Sequence, residues 1–153
     1  MTPRFRALTP DDVDHLVELM RCLYENDGMP FHEARARAGL AAIAAGDWQP
    51  GRVWLIEADG SVAGYVVLTF AFSLEFGGWH GFIDELFVRE PFRGLGLGSR
   101  AIELAASTCR VLGMHALLLE ADLTNDRATR LYRRVGFREH RRRLMCRELD
   151  GPA

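Results

Sequence analysis

The stretch Val88-Arg89-Glu90-Pro91-Phe92-Arg93-Gly94-Leu95-Gly96-Leu97-Gly98 decides how the rest of this chain is read. A β-rich run, Gly81 to Val88, leads into it. Out of it come Leu97, Ala101, Ile102, Leu104, Ala105, Cys109 and Leu112, apolar residues recurring at helical spacing. Glycines alternating at a strand-to-helix junction let backbone approach a ligand closely and aim free N–H groups at it. The helix start adds the positive end of a dipole, so the expected ligand carries a phosphate or pyrophosphate, with Arg93 as counter-charge.

Working outward, Phe5 to Leu8 reads as a short strand, followed by Thr9-Pro10-Asp11-Asp12, a helix start with proline in its first turn and early acidic residues. Val13, Leu16, Val17, Met20 and Leu23 predict a helix to about Tyr24. A second, alanine-rich helix is expected from Phe31 to Ala45, stopped by Gly46. The period then changes. Val53–Glu57 and Val62–Phe70 flank Asp59-Gly60, a hairpin signal, and Gly81–Val88 follows a longer turn over Ser73–His80. Ala116–Glu120 is a nearly all-apolar strand, Asp126–Arg134 a short helix closed by Gly136, and Phe137–Leu149 fits one or two antiparallel strands. The expected order is β-α-α-β-β-β-α-β-α-β-β, an α+β fold around a largely antiparallel sheet.

Composition sets the outer limits. A chain of 153 residues suits one domain over 1–153, since domains commonly run roughly 100–200 residues. All 19 basic residues are arginine. Without lysine there is no Schiff base, no Walker lysine and no lysine general base. A formal net charge of −2 argues against coating nucleic acid or membrane by bulk charge. No apolar run approaches the ~18 residues of a membrane span, and the first residues lack a signal peptide's apolar core. Cys22, Cys109 and Cys146 have no CxxC spacing; they read as reduced, mostly small buried residues of a cytoplasmic protein. The five histidines show no ligand spacing, so no metal is expected.

Two readings compete for the glycine loop. Gly96-Leu97-Gly98-Ser99-Arg100-Ala101 satisfies GxGxxA, a dinucleotide fingerprint, with Glu120 or Asp122 further on. That motif enters its glycines straight from the strand, whereas here Arg89–Arg93 intervene, and it expects βαβ units rather than a hairpin meander. The other reading rests on two motifs. Arg93, Gly96 and Gly98 fill R/Q-x-x-G-x-G/A, and Asn125-Asp126-Arg127-Ala128-Thr129-Arg130-Leu131-Tyr132-Arg133-Arg134-Val135-Gly136-Phe137 follows N-x-x-A-x-x-L-Y-x-x-x-G-F. In both motifs, in this order, the chain resembles the GNAT superfamily of N-acetyltransferases, and the resemblance covers nearly its whole length.

The resemblance implies a GNAT-like acyl-CoA N-acyltransferase fold, a mixed, mostly antiparallel sheet flanked by about four helices. It implies that the amides of Gly94, Leu95, Gly96, Leu97, Gly98 and Ser99 hold the pyrophosphate of acetyl-CoA beside Arg93. The backbone of Leu86, Phe87 and Val88 would pair with the pantetheine arm, with Asn125 and Ala128 completing the cofactor site. Tyr132 is the expected proton donor to the departing sulfur. For the general base Asp84 is the closest positional match, then Glu85, then Glu120; strict alternation along the strand points Asp84 and Glu85 to opposite faces. Tyr24, Glu25, Asp27 and Met29, with Glu75, Phe76, Trp79 and His80, are expected to wall the acceptor site, an acidic and aromatic set suited to a small or polyamine-like primary amine.

Direct attack in a ternary complex is expected, because no motif sets a nucleophilic cysteine beside a base. A protein or peptide acceptor and a non-catalytic acyl-CoA-binding module stay open as alternatives, as does a homodimer. The arginines from Arg133 to Arg143 read as a solvated face rather than a nucleic-acid patch.

Overall fold

The computed structural model describes residues 2–45 and 50–149. The β-rich middle forms the spine of the sheet. β2 (Gly51–Ala58) and β3 (Ser61–Ser73) meet across Asp59 and Gly60, whose φ values of 50° and 75° are the two left-handed residues of the tight turn expected from Asp-Gly. β4 (Gly78–Val88) returns antiparallel to β3, so the strand begins three residues earlier than its apolar run suggested. β1 (Arg4–Ala7) pairs antiparallel with the outer side of β2. β5 (Leu117–Leu119) pairs parallel with β4, giving the order β1-β2-β3-β4-β5. A sheet with one parallel pair in four does not have the alternating βαβ units of a dinucleotide fold.

Helices cover both faces. α1 (Val13–Asn26) and α2 (Glu33–Ala44) lie on one, where Leu16, Val17, Met20 and Leu40 bury against Val53, Leu55, Tyr65, Val67 and Phe87. α3 (Leu97–Val111) covers the other, packing Leu97, Ala101, Ile102, Ala105 and Cys109 on Ile56, Val66, Leu68 and Ile83. α4 (Asp126–Arg134) spans the residues expected of it and begins on Asn125, whose Oδ1 accepts the Ala128 N–H at 3.0 Å. Gly46, expected to stop α2, lies outside the described residues. The start of α1 is braced to the sheet: the Arg6 guanidinium donates twice to Asp12, at 2.7 and 2.8 Å, and once to Glu57 at 2.7 Å.

Two expectations fail. Residues 138–149 form no strand. Leu144, Met145 and Leu149 stay exposed among arginines and present no apolar face to pair, and β5 offers an edge only three residues long. The segment is tied down by charge instead, with Arg142 donating to both carboxylate oxygens of Glu75 at 2.7 and 2.8 Å. Of the cysteines only Cys109 is buried; Cys22 and Cys146 are exposed.

Candidate active site

The site begins where the register of the sheet breaks. Val67 pairs with Glu85, but Leu68 pairs with Ile83, which leaves Asp84 as an extra residue in β4. A bulge of this kind re-aims the side chains that follow it. Ile83 therefore packs with α3, while Glu85 and Phe87 turn to the α1–α2 side. Asp84 and Glu85 both line one cleft, so the alternation that would have parted them does not hold at this point.

That cleft, of about 370 Å³, lies between β4 and the helix pair. Tyr24 and Met20 line it from α1, Phe31 from the connection, and Ala36, Leu40 and Ile43 from the inner stripe of α2. Glu85 is anchored at its floor, accepting the Tyr24 hydroxyl at 2.7 Å and the Tyr65 hydroxyl at 2.9 Å. Burial raises its pKa above the ordinary carboxylate value, the two hydroxyls work against that, and the charge of Asp84 adds to the rise. The same burial and the Glu85 charge push Tyr24 and Tyr65 well above the usual tyrosine range, so both remain protonated donors. Asp84 differs. More than a third of its surface is open, it makes no side-chain hydrogen bond among the described residues, and partial burial alone raises its pKa. It is a carboxyl with free lone pairs beside a carboxylate held in place.

On the other side of β4 the sheet opens. The β4–β5 ladder ends at Ile83–Leu119, and from Asp84 to Val88 β4 has β3 on one side and no strand on the other among the described residues. Leu86 and Val88 are half-buried along this free edge, while the Phe87 side chain is buried in the core, 6.1 Å from the Tyr65 ring. Glu120 follows the last paired residue of β5 and is exposed.

At the end of that edge stands the glycine loop. Gly94 and Gly96 adopt left-handed φ of 80° and 78°, and a Cβ built on either would meet nothing within 4 Å, so the loop's outer side is open. The first helical bond of α3 runs from Arg100 N–H to Gly96 C=O, 3.2 Å, which leaves the N–H groups of Leu97, Gly98 and Ser99 without helical partners. Leu97 buries its side chain beneath the loop, and Leu95 is half exposed above it. Gly98 serves packing: a Cβ there would stand 3.1 Å from Leu131 of α4. Arg93 folds back, its Nε donating to the Val88 carbonyl at 2.8 Å, and so braces the loop against the end of β4. Three free amides at a helix start, under open space and next to an unpaired strand edge, suit an anionic group joined to an extended amide-bearing arm.

Tyr132 lies on α4, half-buried against the α3-side core and 6.1 Å from the Phe137 ring. Burial, reinforced by the charge of Asp27 at the end of α1, holds its hydroxyl above the usual tyrosine pKa and hence protonated. Asp27 is itself raised, by burial and by the charge of Asp122. Of the expected acceptor-site residues, only Tyr24 lines the cleft. Glu25 is exposed near the end of α1. Glu75 is engaged by Arg142, and Trp79 stacks edge-on against Phe72 at the far end of the β3–β4 hairpin. His80 is buried there beside the Phe76 ring. The residues that sequence reasoning passed over, Tyr65 bonded behind Glu85 and the α2 stripe lining the cleft, carry only the signal of core residues. Their role depends on which strand lies opposite. Among the described residues no group of three or more His, Cys, Asp or Glu could hold a metal, and no helix is long and apolar enough to cross a membrane.

Comparison with known proteins agrees with this geometry. Over 97% of the chain and 91% of its counterpart, the fold matches an integron cassette protein from the mobile metagenome of Cole Harbour Salt Marsh, with a TM-score of 0.83 and 36% identity. It also superposes with a TM-score of 0.80 on an aminoglycoside N-acetyltransferase crystallised in complex with CoA, at 18% identity over 97% and 96% of the two chains. In sequence it is 32% identical over 81 residues, 53% of either chain, to the aminoalkylphosphonate N-acetyltransferase of Salmonella typhimurium. It is 29% identical over 106 residues, 69% of this chain and 55% of the other, to an L-methionine sulfoximine/L-methionine sulfone acetyltransferase of Pseudomonas paraeruginosa. The chain spans about half the length of these curated relatives. Residues 14–137, from the start of α1 through the second motif, match the acetyltransferase (GNAT) family model, and the chain belongs to that family.

Proposed function

We infer that this protein is an N-acetyltransferase that moves the acetyl group of acetyl-CoA to the primary amine of a small molecule by direct attack in a ternary complex. The observation that carries the reading is the pair Asp84 and Glu85, brought into one cleft by the bulge at the point where β4 loses its β5 neighbour. Two relatives named for small amine acceptors support it. When bound, acetyl-CoA supplies an acyl group on a thioester, activated towards a neutral amine. The amides of Leu97, Gly98 and Ser99 fit its pyrophosphate and the free β4 edge from Leu86 to Val88 fits its pantetheine arm, while Arg93 holds the two together.

The chain's own residues supply the proton traffic. Asp84 takes a proton from the incoming ammonium, because its lone pairs are free while both oxygens of Glu85 accept tyrosine hydroxyls, which makes it the better acceptor of the two carboxyls. Glu85, fixed by Tyr24 and Tyr65, holds negative charge at the floor and orients the amine. As the amide C–N bond forms and the C–S bond breaks, Tyr132, kept protonated by burial, gives its proton to the departing sulfur. Glu120 lies across the opening as a second outlet for the proton through water. A cytoplasmic setting suits the three free cysteines.

The test is thiol release from acetyl-CoA over a panel of primary amines. Turnover with small amines is the expected result. Release only with peptide or protein acceptors would overturn the small-molecule reading, and CoA affinity with no transfer to any acceptor would make the protein a binding module. A melting temperature raised by CoA and not by NAD is the accompanying expectation.

A further inference from the structure

The cleft that holds Asp84 and Glu85 also carries a positive charge. Arg35 lines it from α2, on the same helix as the apolar residues Ala36 and Leu40. The neighbouring arginines are committed: Arg21 donates to Glu33 at 2.7 Å, and Arg37 to Glu33 at 2.8 Å and to Asp14 at 2.7 Å. Arg35 has no carboxylate partner among the described residues. Arg35, the two carboxyls and the apolar side chains of Phe31, Ala36 and Leu40 thus line one cleft. A cleft that carries an unpaired guanidinium, two carboxyls and an apolar lining is complementary to a molecule with a cation at one end, an anion at the other and an apolar body in between.

We propose that the acceptor is a primary amine carrying an oxyanion (a carboxylate, sulfonate or phosphonate) at the far end of a short apolar body. Its ammonium meets Asp84 and Glu85, and its oxyanion is held by the Arg35 guanidinium. The proposal rests on the reading of this cleft as the acceptor site. It also selects against polyamines, whose second ammonium would face Arg35.

The test compares 5-aminopentanoate, pentylamine and 1,5-diaminopentane as acceptors for the full chain at saturating acetyl-CoA. They share chain length and differ at the far end only. The expected kcat/KM for 5-aminopentanoate is roughly tenfold or more above the other two, the scale of a hydrogen bond to a charged group. Arg35→Gln should bring that ratio close to one, and Arg35→Lys, which keeps the charge, should retain part of it. An unchanged melting temperature for the exposed Arg35→Gln variant would separate lost recognition from lost folding. Equal kcat/KM for the three amines, or a ratio that survives Arg35→Gln, overturns this proposal and leaves the transferase reading standing. Acetylation of none of them, nor of any other amine, overturns both.

Discussion

Asp84→Asn tests the chemistry most directly, because it removes one acid–base group and keeps the shape of the bulge. A positioned general base contributes typically about 10²–10⁴-fold to rate. Here the loss should fall at the lower end, because Glu85 lines the same cleft and can accept a proton through water. That corresponds to about 10²-fold in kcat, or ~2.7 kcal/mol of barrier. Asp84→Asn with Glu85→Gln should extend the loss towards ~10⁴-fold. The pH profile carries an independent sign. The Asp84 charge raises the Glu85 pKa, so without it Glu85 ionises at lower pH and the acid limb of kcat moves down. Stability should move the other way from activity. The folded-state pKa of Asp84 lies above its unfolded value, so its stabilising contribution is present below the unfolded pKa and is lost as pH rises through the folded one. At neutral pH Asp84→Asn should therefore melt no lower than the parent. The assay is steady-state thiol release at saturating acetyl-CoA from acidic to mildly basic pH, with melting curves at each pH. A variant within about threefold of the parent kcat, with its acid limb unmoved, would refute Asp84 as the base.

The other predictions address the donor, the loop and the frame. Tyr132→Phe should lower kcat by roughly 10²-fold while CoA affinity measured by calorimetry stays close to the parent value; undiminished turnover would remove it as proton donor. Gly96→Val places a β-branched residue at φ 78° in the loop and should weaken CoA binding by at least about tenfold, the strain alone being on the order of 1–3 kcal/mol. Asp12→Asn removes the charge and one of the two acceptors of the paired hydrogen bonds from Arg6, and should cost about 1–2 kcal/mol at neutral pH, read as a lower melting temperature. Arg6 holds the Asp12 carboxyl well below the usual range, so the stability it brings is present above the unfolded pKa of about 3.9. The gap between parent and variant should shrink as pH falls below that value.

How much of this was legible beforehand differs by element. The two-residue turn at Asp59-Gly60, the helix over Asp126–Arg134 and the glycine loop were all legible, because each depends on residues adjacent in the chain. The tail was not. A run of arginines alternating with apolar residues is compatible with a strand, but a strand exists only when another strand accepts its hydrogen bonds, and β5 ends after three residues. The residues around Asp84 and Glu85 were legible only as residue types. Tyr24 was singled out, whereas Tyr65, on a buried strand, and Leu40, on an alanine-rich helix, read as core.

By itself the sequence determined the family. A lysine-free chain has no Walker lysine to offer a phosphate, and Arg93–Gly98, followed by Asn125–Phe137, carries the resemblance that the family model matches. Tertiary structure alone decided the site. Whether Asp84 and Glu85 share a face depends on one unpaired residue in the β3–β4 register, and register is set by partners distant in the chain. The same non-local packing brings Arg35 into one cleft with both carboxyls, a relation that neither stretch of sequence contains on its own.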